Sequence, residues 1–264
     1  MKIALYHNLT SGGSKREAFE FTKSLAVAGH YVDLYCPTTA NEVFLPLAHY
    51  VKQTFKYPLY LQPPFKGRLP GFRKYIDLLA FGLNLQRLQQ VSRRIAEDID
   101  SQVYDFVFVH HDQIVQSPYL LRYLQTPSVY FCAEPMRQFY EPHIDREYDK
   151  PQARSEFFQR KWYAPARWLQ AWATKHIDQQ NVKRANLLLT NSYFSAESIY
   201  RAYGLRSQVV YLGVDADKFK PLNYLKGNYV LSVGAVSPFK NFDFIIEAIS
   251  YVPQTIRPSL IIVG

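Results

Sequence analysis

Short runs of aliphatic, β-branched and aromatic residues alternate along the chain with longer segments whose apolar positions recur every three or four residues. The short runs have the length and composition of buried strands, and the longer segments have the period of helices packed on one side. Strand–helix–strand alternation of this kind closes into a parallel sheet, so the pattern predicts an α/β fold. Strands are expected near 3–6, 31–35, 57–61, 106–110, 128–132, 187–190, 209–211, 229–233 and 259–263. Between the first two, Ala18, Phe21, Leu25 and Ala28 share a helix face and Gly29 supplies the C-terminal cap. Residues 78–99 form a second amphipathic helix, with Leu78, Phe81, Leu85, Leu88, Ile95 and Ile99 on one stripe.

Proline and glycine mark the breaks. Residues 58–72 carry Pro58, Pro63, Pro64 and Pro70 with Gly67 and Gly71, and residues 134–151 combine five acids with Pro135, Pro142 and Pro151. Both segments read as loops. Gly204, Gly213, Pro221 and Gly227 punctuate a third stretch, after which a new strand–helix–strand begins. That places a domain boundary near 206, with 1–206 as one domain and 207–264 as the start of another. The sequence ends on SLIIVG, an apolar strand with no helix after it to cover its sheet face. Such an ending predicts that the chain stops partway through the second domain.

Composition adds compartment and partner. The chain has 264 residues, a net charge of +9 and two cysteines, Cys36 and Cys132, both within apolar strand-like runs. Neither a disulfide framework nor a zinc site follows from that spacing, and a reducing compartment does. The N-terminal apolar run is too short for a signal peptide, so a cytoplasmic protein is expected. Charge is unevenly spread: residues 51–94 hold nine basic side chains against one acid, Asp77. Residues 151–184 hold seven against Glu156 and Asp178, interleaved with Trp162, Tyr163, Trp168 and Trp172. Basic residues beside aromatic ones suit anionic lipid headgroups, nucleic-acid phosphates or phosphorylated substrates, and solvated helix faces are the plainer alternative.

Chemistry is sought where the strands end. After the first strand, Ser11-Gly12-Gly13-Ser14 opens a helix, where glycines allow close approach and free helix N–H groups can hold an anion; a tight turn that binds nothing is the plainer alternative. The full Gly-x-Gly-x-x-Gly fingerprint is missing, which argues against a nicotinamide or flavin oxidoreductase. The fourth strand ends His110-His111-Asp112, at the edge where open α/β sheets place ligands. A histidine there can hydrogen-bond a sugar hydroxyl or phosphate. Neighbouring strand residues point to opposite faces, so no metal site is assigned to the three. The pairs Asp98/Asp100 and Asp215/Asp217 are read as structural, and the Asn8-Leu9-Thr10 glycosylation pattern carries little weight without a secretory signal.

Several segments together resemble a family, the retaining glycosyltransferases of GT-B fold known as family 4 or glycosyl transferases group 1. The opening strand, Gly-Gly turn and helix are followed by Gly29-His30-Tyr31-Val32, similar to the family's Gly-His-x-Val step. DFVFVH at 105–110 resembles its Asp-x-x-x-x-His strand end, and ANLLLTNS at 185–192 its strand ending in Asn-Ser. LGVDADKFKP at 212–221 is similar to the linker into the second domain, and VGAVSPFKNFDFIIEA at 233–248 resembles the Gly-Arg-x-x-x-x-Lys-Gly loop and helix. This chain departs from the last motif with Ala235 for Arg and Asn241 for Gly, and the family's Glu-x(7)-Glu segment would lie beyond Gly264.

The resemblance implies two Rossmann-like domains and transfer of a sugar from a nucleotide-diphosphate donor to a saccharide or lipid-linked acceptor, with retention. No cofactor beyond the donor substrate and no obligatory metal is implied. It makes His110 the active-site histidine, assigns Gly12, Gly13, Arg16 and Lys240 to the donor phosphates, and makes Glu134, Asn191 and Ser192 acceptor-side or sugar-side candidates. Activity is expected to need the residues that would complete the second domain. An anionic membrane surface is an expected partner, which would make the protein peripheral on the inner face of the cytoplasmic membrane and concerned with cell-envelope polysaccharide. A non-catalytic GT-B-like binding protein is the rival reading, and a nucleic-acid-binding α/β protein a more distant one.

Overall fold

The computed structural model describes residues 1–67, 72–142, 153–221, 227–237 and 240–264. Its first strand, β1 (Lys2–Asn8), is buried on both faces from Ile3 onward, as a central strand of a parallel sheet must be. Helix α1 (Gly13–Val27) returns the chain to β2 (Tyr31–Pro37), and β3 (Gln53–Tyr57) follows at the sheet edge. The 28-residue helix α2 (Arg73–Asp100) then crosses to β4 (Phe106–Asp112) on the opposite side of β1. Beyond it come β5 (Ser128–Phe131), α3 (Arg137–Tyr140), α4 (Arg154–Trp162), α5 (Ala164–Val182), β6 (Leu187–Thr190), α6 (Tyr193–Tyr203) and β7 (Gln208–Val209). All seven strands are parallel, in the order β3-β2-β1-β4-β5-β6-β7. This is a doubly wound, Rossmann-like sheet.

Alternation along the strands builds one core on each face. Ile3, Leu5, Val32, Leu34, Phe108 and Phe131 meet Phe19, Phe21 and Leu25 of α1. Tyr6, Val107 and Val109 point the other way, onto Leu88, Ile95 and Ile99 of α2, Val182 of α5 and Ile199 of α6.

Chain division follows the hydrogen bonds. The compact units are Met1–Gly213 and Val214–Gly264. The division falls after Gly213, beyond the expected 206, because β7 pairs with β6 and so belongs to the first sheet. In the second unit β8 (Tyr229–Val233) and β9 (Ser259–Val263) pair in parallel across α7 (Phe242–Ser250), at the two strand positions expected.

Two elements differ from expectation. The third strand was expected at 57–61 but is Gln53–Tyr57. It is an edge strand with one partner, so its polar positions at Gln53, Thr54 and Lys56 are tolerated, and Pro58 has no N–H with which to continue it. Leu59 instead donates its backbone N–H to the Thr38 hydroxyl at 3.0 Å. Helix α2 begins five residues before 78 because its first turn has a tertiary anchor: the Tyr75 hydroxyl donates to the Trp162 carbonyl at 2.7 Å. Within the expected 134–151 loop, α3 is a single turn, and residues 143–151 lie outside those described.

Candidate functional site at the switch point

From β1 the chain winds outward through β2 and β3, then returns to β4 on the other side, so the connections leaving β1 and β4 part at their C-terminal ends. That parting opens the crevice where doubly wound sheets hold ligands. A register shift after Tyr6, which faces Val109, sets Asn8 opposite Asp112 and pairs two buried polar residues at this end of the seam.

One wall is the Gly12-Gly13 turn. Gly12 sits at φ 139°, ψ −164°, a region open essentially to glycine alone, and serves as the N-cap of α1. No side chain caps the helix there, and its first turn holds no acid. A Cβ on Gly12 or Gly13 would meet nothing within 4 Å, so the turn borders open space. Exposed helix N–H groups beside open space are suited to an anion. Arg16, exposed on the same turn, sets its guanidinium over the Phe44 ring with 5.9 Å to the centroid.

Behind the turn lies a buried charge cluster that the sequence reading did not single out. Lys15, fully enclosed, forms an ion pair with Glu42 from the loop after β2. His7 Nε2 lies 2.9 Å from the same Glu42 oxygen, and Leu9 donates its N–H to His7 Nδ1 at 3.3 Å, which leaves the ring proton on Nε2 to face the carboxylate. The second Glu42 oxygen accepts the Leu47 N–H at 3.0 Å. Burial alone would push the Glu42 carboxyl up; hydrogen bonds and charge from His7 and Lys15 outweigh it and hold the group at about 2. Burial lowers the Lys15 ammonium and the His7 imidazole, with Glu42 opposing both. The cluster fastens the first turn of α1, the end of β1 and the loop after β2 together.

A second network sits at the β1–β4 seam. Asn8 donates to Asp112 at 2.8 Å and accepts from the Thr39 hydroxyl at 2.8 Å and from Gln113 at 3.0 Å. Asp112 also accepts the Ile114 N–H at 2.7 Å, yet burial prevails and lifts its carboxyl to about 6. With its amide spent in this way and no exposure, Asn8 is a structural residue and not a surface glycosylation acceptor.

His110 is almost wholly enclosed, packed among Phe21, Phe108 and Phe131. Its Nδ1 lies 3.8 Å from Glu17 of α1, too far for a hydrogen bond, and its Nε2 has no partner. Desolvation pushes the imidazole well below its ordinary value and raises the Glu17 carboxyl to about 8, so near neutral pH the two face each other uncharged. Half-buried His111 is likewise held down at about 4 by burial.

Glu134 is exposed at the end of β5 and accepts from Arg137 Nε at 2.8 Å, while its carbonyl accepts from the Gln116 side chain at 2.9 Å. Asn191 and Ser192 end β6 and cap α6: the Ser192 hydroxyl accepts the Ser195 N–H at 3.2 Å, and Asn191 accepts the Ser195 hydroxyl at 2.8 Å. In the second unit Lys240 is exposed just before α7, and its stem runs past Gly234 at the end of β8. Asp98 accepts the Tyr57 hydroxyl, Asp100 accepts the Gln125 and Thr126 N–H groups, and Asp215 accepts those of Asp217 and Lys218. Among the described residues no group of three or more His, Cys, Asp or Glu could hold a metal ion. Both cysteines are free and buried, and burial pushes the Cys36 thiol up to about 12.

The family described as Glycosyltransferase Family 4 matches residues 11–218, most of the chain. Among solved structures, LpCGTa in complex with UDP is 12% identical with a TM-score of 0.49, covering 100% of this chain and 70% of that one. Arabidopsis thaliana UGT89C1 complexed with UDP-L-rhamnose is 10% identical with a TM-score of 0.49, at 100% and 69% coverage. MurG of Acinetobacter baumannii is 10% identical with a TM-score of 0.46, at 100% and 67%. A second UGT89C1 structure, with UDP, is spanned over only 55% of its length. Likeness this distant carries no argument about substrate. Among proteins of curated function, none matches the chain significantly.

Proposed function

Because the chain belongs to glycosyltransferase family 4, we propose that it transfers a sugar from a nucleoside-diphosphate sugar to a saccharide or lipid-linked acceptor, with retention of configuration. The observation that carries this reading is the open, uncapped N-terminus of α1 at Gly12-Gly13, set beside the β1–β4 switch point of a chain with that family match. In this reading the N–H groups of the turn hold donor phosphate, and Arg16 adds positive charge at its rim. Lys240 is assigned a donor-phosphate role from the resemblance of its own loop, VGAVSPFKN at 233–241; a lysine there suits an electrostatic role that gains strength as the bond to a diphosphate breaks.

His110 hydrogen-bonds the transferred sugar. A neutral imidazole suits that work, since it offers one donor and one acceptor without bringing a competing charge near the diphosphate. Its unpartnered Nε2 supports the assignment, because a buried polar atom left alone is costly until a ligand or solvent hydroxyl completes it. The cluster of Lys15, Glu42 and His7 acts by positioning: it fixes the turn whose N–H groups must stay aimed at the phosphates. Asn191, Ser192 and Glu134, on the ends of β6 and β5, stand on the sugar and acceptor side.

The test is sugar transfer by the intact protein, assayed with a panel of nucleotide sugars, for the parent and for His110→Ala. The expected result is a fall in kcat larger than any rise in donor KM, with unfolding measured alongside to exclude a folding defect. A folded His110→Ala variant with unchanged turnover would remove the histidine from the site. Failure of every nucleotide sugar to bind or react would overturn the transferase reading in favour of a non-catalytic binding protein.

A further inference from the structure

The two basic and aromatic segments of the sequence, far apart along the chain, come together on one face. Helix α2 packs on α5, and α5 on α4. The Tyr75 ring contacts those of Trp162 and Tyr163, with centroids 6.1 and 6.4 Å away. Helix α4 buries none of its residues, although it carries Phe157 and Phe158. Trp162, its last residue, is 54% exposed, and Trp168 and Trp172 on the following turns of α5 are 68% and 53% exposed. Large aromatic side chains gathered half exposed on one face mark a docking surface.

Charge says which partner. The bases on these turns include Arg73, Lys74, Arg154, Arg160, Lys161 and Arg167, and Glu156 is the one acid of α4. A protein–protein patch is depleted in lysine and satisfied by opposite charges, whereas tryptophan and phenylalanine ringed by lysine and arginine match the headgroup level of an anionic bilayer. Among the described residues no helix is long and apolar enough to cross a membrane, so association through this face would be peripheral.

We infer that the N-terminal turns of α2, together with α4 and the first half of α5, bind the surface of anionic membranes, with the three tryptophans entering the interface. A helix that carries the chain back to the next parallel strand starts at the strands' C-terminal edge, so the starts of α2 and α5 lie at the end of the sheet where the switch-point crevice opens. Docking in this way brings the crevice to the headgroup layer. The surface stands independently of the sugar-transfer reading, which is tested by donor binding without vesicles.

The chain's only three tryptophans are Trp162, Trp168 and Trp172, so intrinsic fluorescence reports on this face alone. Vesicles of phosphatidylcholine containing phosphatidylglycerol should shift the emission to the blue, and added salt should reverse the shift. Pure phosphatidylcholine should leave it unchanged. A triple variant, Arg160→Glu, Lys161→Glu and Arg167→Glu, should weaken partitioning by at least about 100-fold, from about fivefold for each basic residue lost near an anionic surface, with repulsion of the new carboxylates added. A second variant, Phe158→Ser with Trp168→Ser, should retain salt-sensitive association but show weaker quenching by brominated acyl chains, since Trp162 and Trp172 remain. No shift with anionic vesicles, an equal shift with neutral ones, or a shift that survives the charge reversal would overturn the inference. So would a blue shift that appears with protein concentration alone, because self-association would then be covering the face.

Discussion

Replacing Lys15 by Met keeps the length of the side chain and removes the one ammonium group in the cluster beneath the Gly12-Gly13 turn. Glu42 would then remain nearly enclosed, with its side chain 10% exposed and His7 as its surviving side-chain donor. Lowering a carboxyl from 4.5 to about 2 corresponds to on the order of 3 kcal/mol of folding free energy. The folded value is depressed, so this contribution is complete above pH about 4.5 and is lost as pH falls toward 2. Enclosing the ammonium offsets part of it, but stranding one member of a buried pair typically costs roughly 3–5 kcal/mol. With His7 still in place, the low end applies, about 3 kcal/mol. For a domain of about 200 residues that is a drop in Tm of roughly 6–12 °C. Thermal unfolding followed by circular dichroism at pH 7 and pH 3 is the assay, and the gap between parent and variant should narrow at pH 3. The double variant Lys15→Met with Glu42→Leu should be more stable than Lys15→Met alone, since no charge is left behind. A single variant within about 0.5 kcal/mol of the parent at pH 7, or a gap indifferent to pH, would refute the electrostatic account of the cluster.

Glu17→Gln should flatten the pH dependence of stability. The folded Glu17 keeps its proton up to about 8 because it is buried, whereas the unfolded chain releases it near 4.5, so the parent loses stability as pH rises between those values and the glutamine variant does not. Identical slopes in Tm against pH would contradict this. Ser192→Ala should cost about 1 kcal/mol through loss of the α6 cap, read as a lower urea midpoint with unchanged slope.

Most of the first sheet was legible because β1, β2, β4, β5 and β6 are central strands. Burial on both faces demands continuous apolar runs, and runs such as LLLT at 187–190 have few other uses. The edge was not legible. An edge strand such as β3 is half solvated, and its proline-flanked neighbour YPLYL looks more strand-like than the strand itself. Helix α1 was found from its apolar stripe, but the same stripe hides Lys15, which lies three residues before Ala18 on the face turned to the core. A lysine at a core-facing position is a signal only once the start of the helix is known. Glu42 gives none, because it stands in a loop without periodicity and acquires its meaning from the two side chains folded against it.

The sequence by itself determined the α/β alternation, the strand ends that carry His110 and Asn191, the glycine turn at Gly12-Gly13 and the clustering of basic and aromatic residues, since each is a local pattern within one element. Tertiary structure alone decided the strand order, and with it that β1 and β4 stand side by side at the switch point. It also decided that His110 faces an aromatic enclosure with Glu17 across from it, and that the turns near residue 75 meet those near 162 on one surface. Periodicity tells a residue which face of its own element it occupies; what stands opposite that face is fixed by pairing and packing between segments distant in sequence, and burial, pKa and charge all follow from what stands opposite.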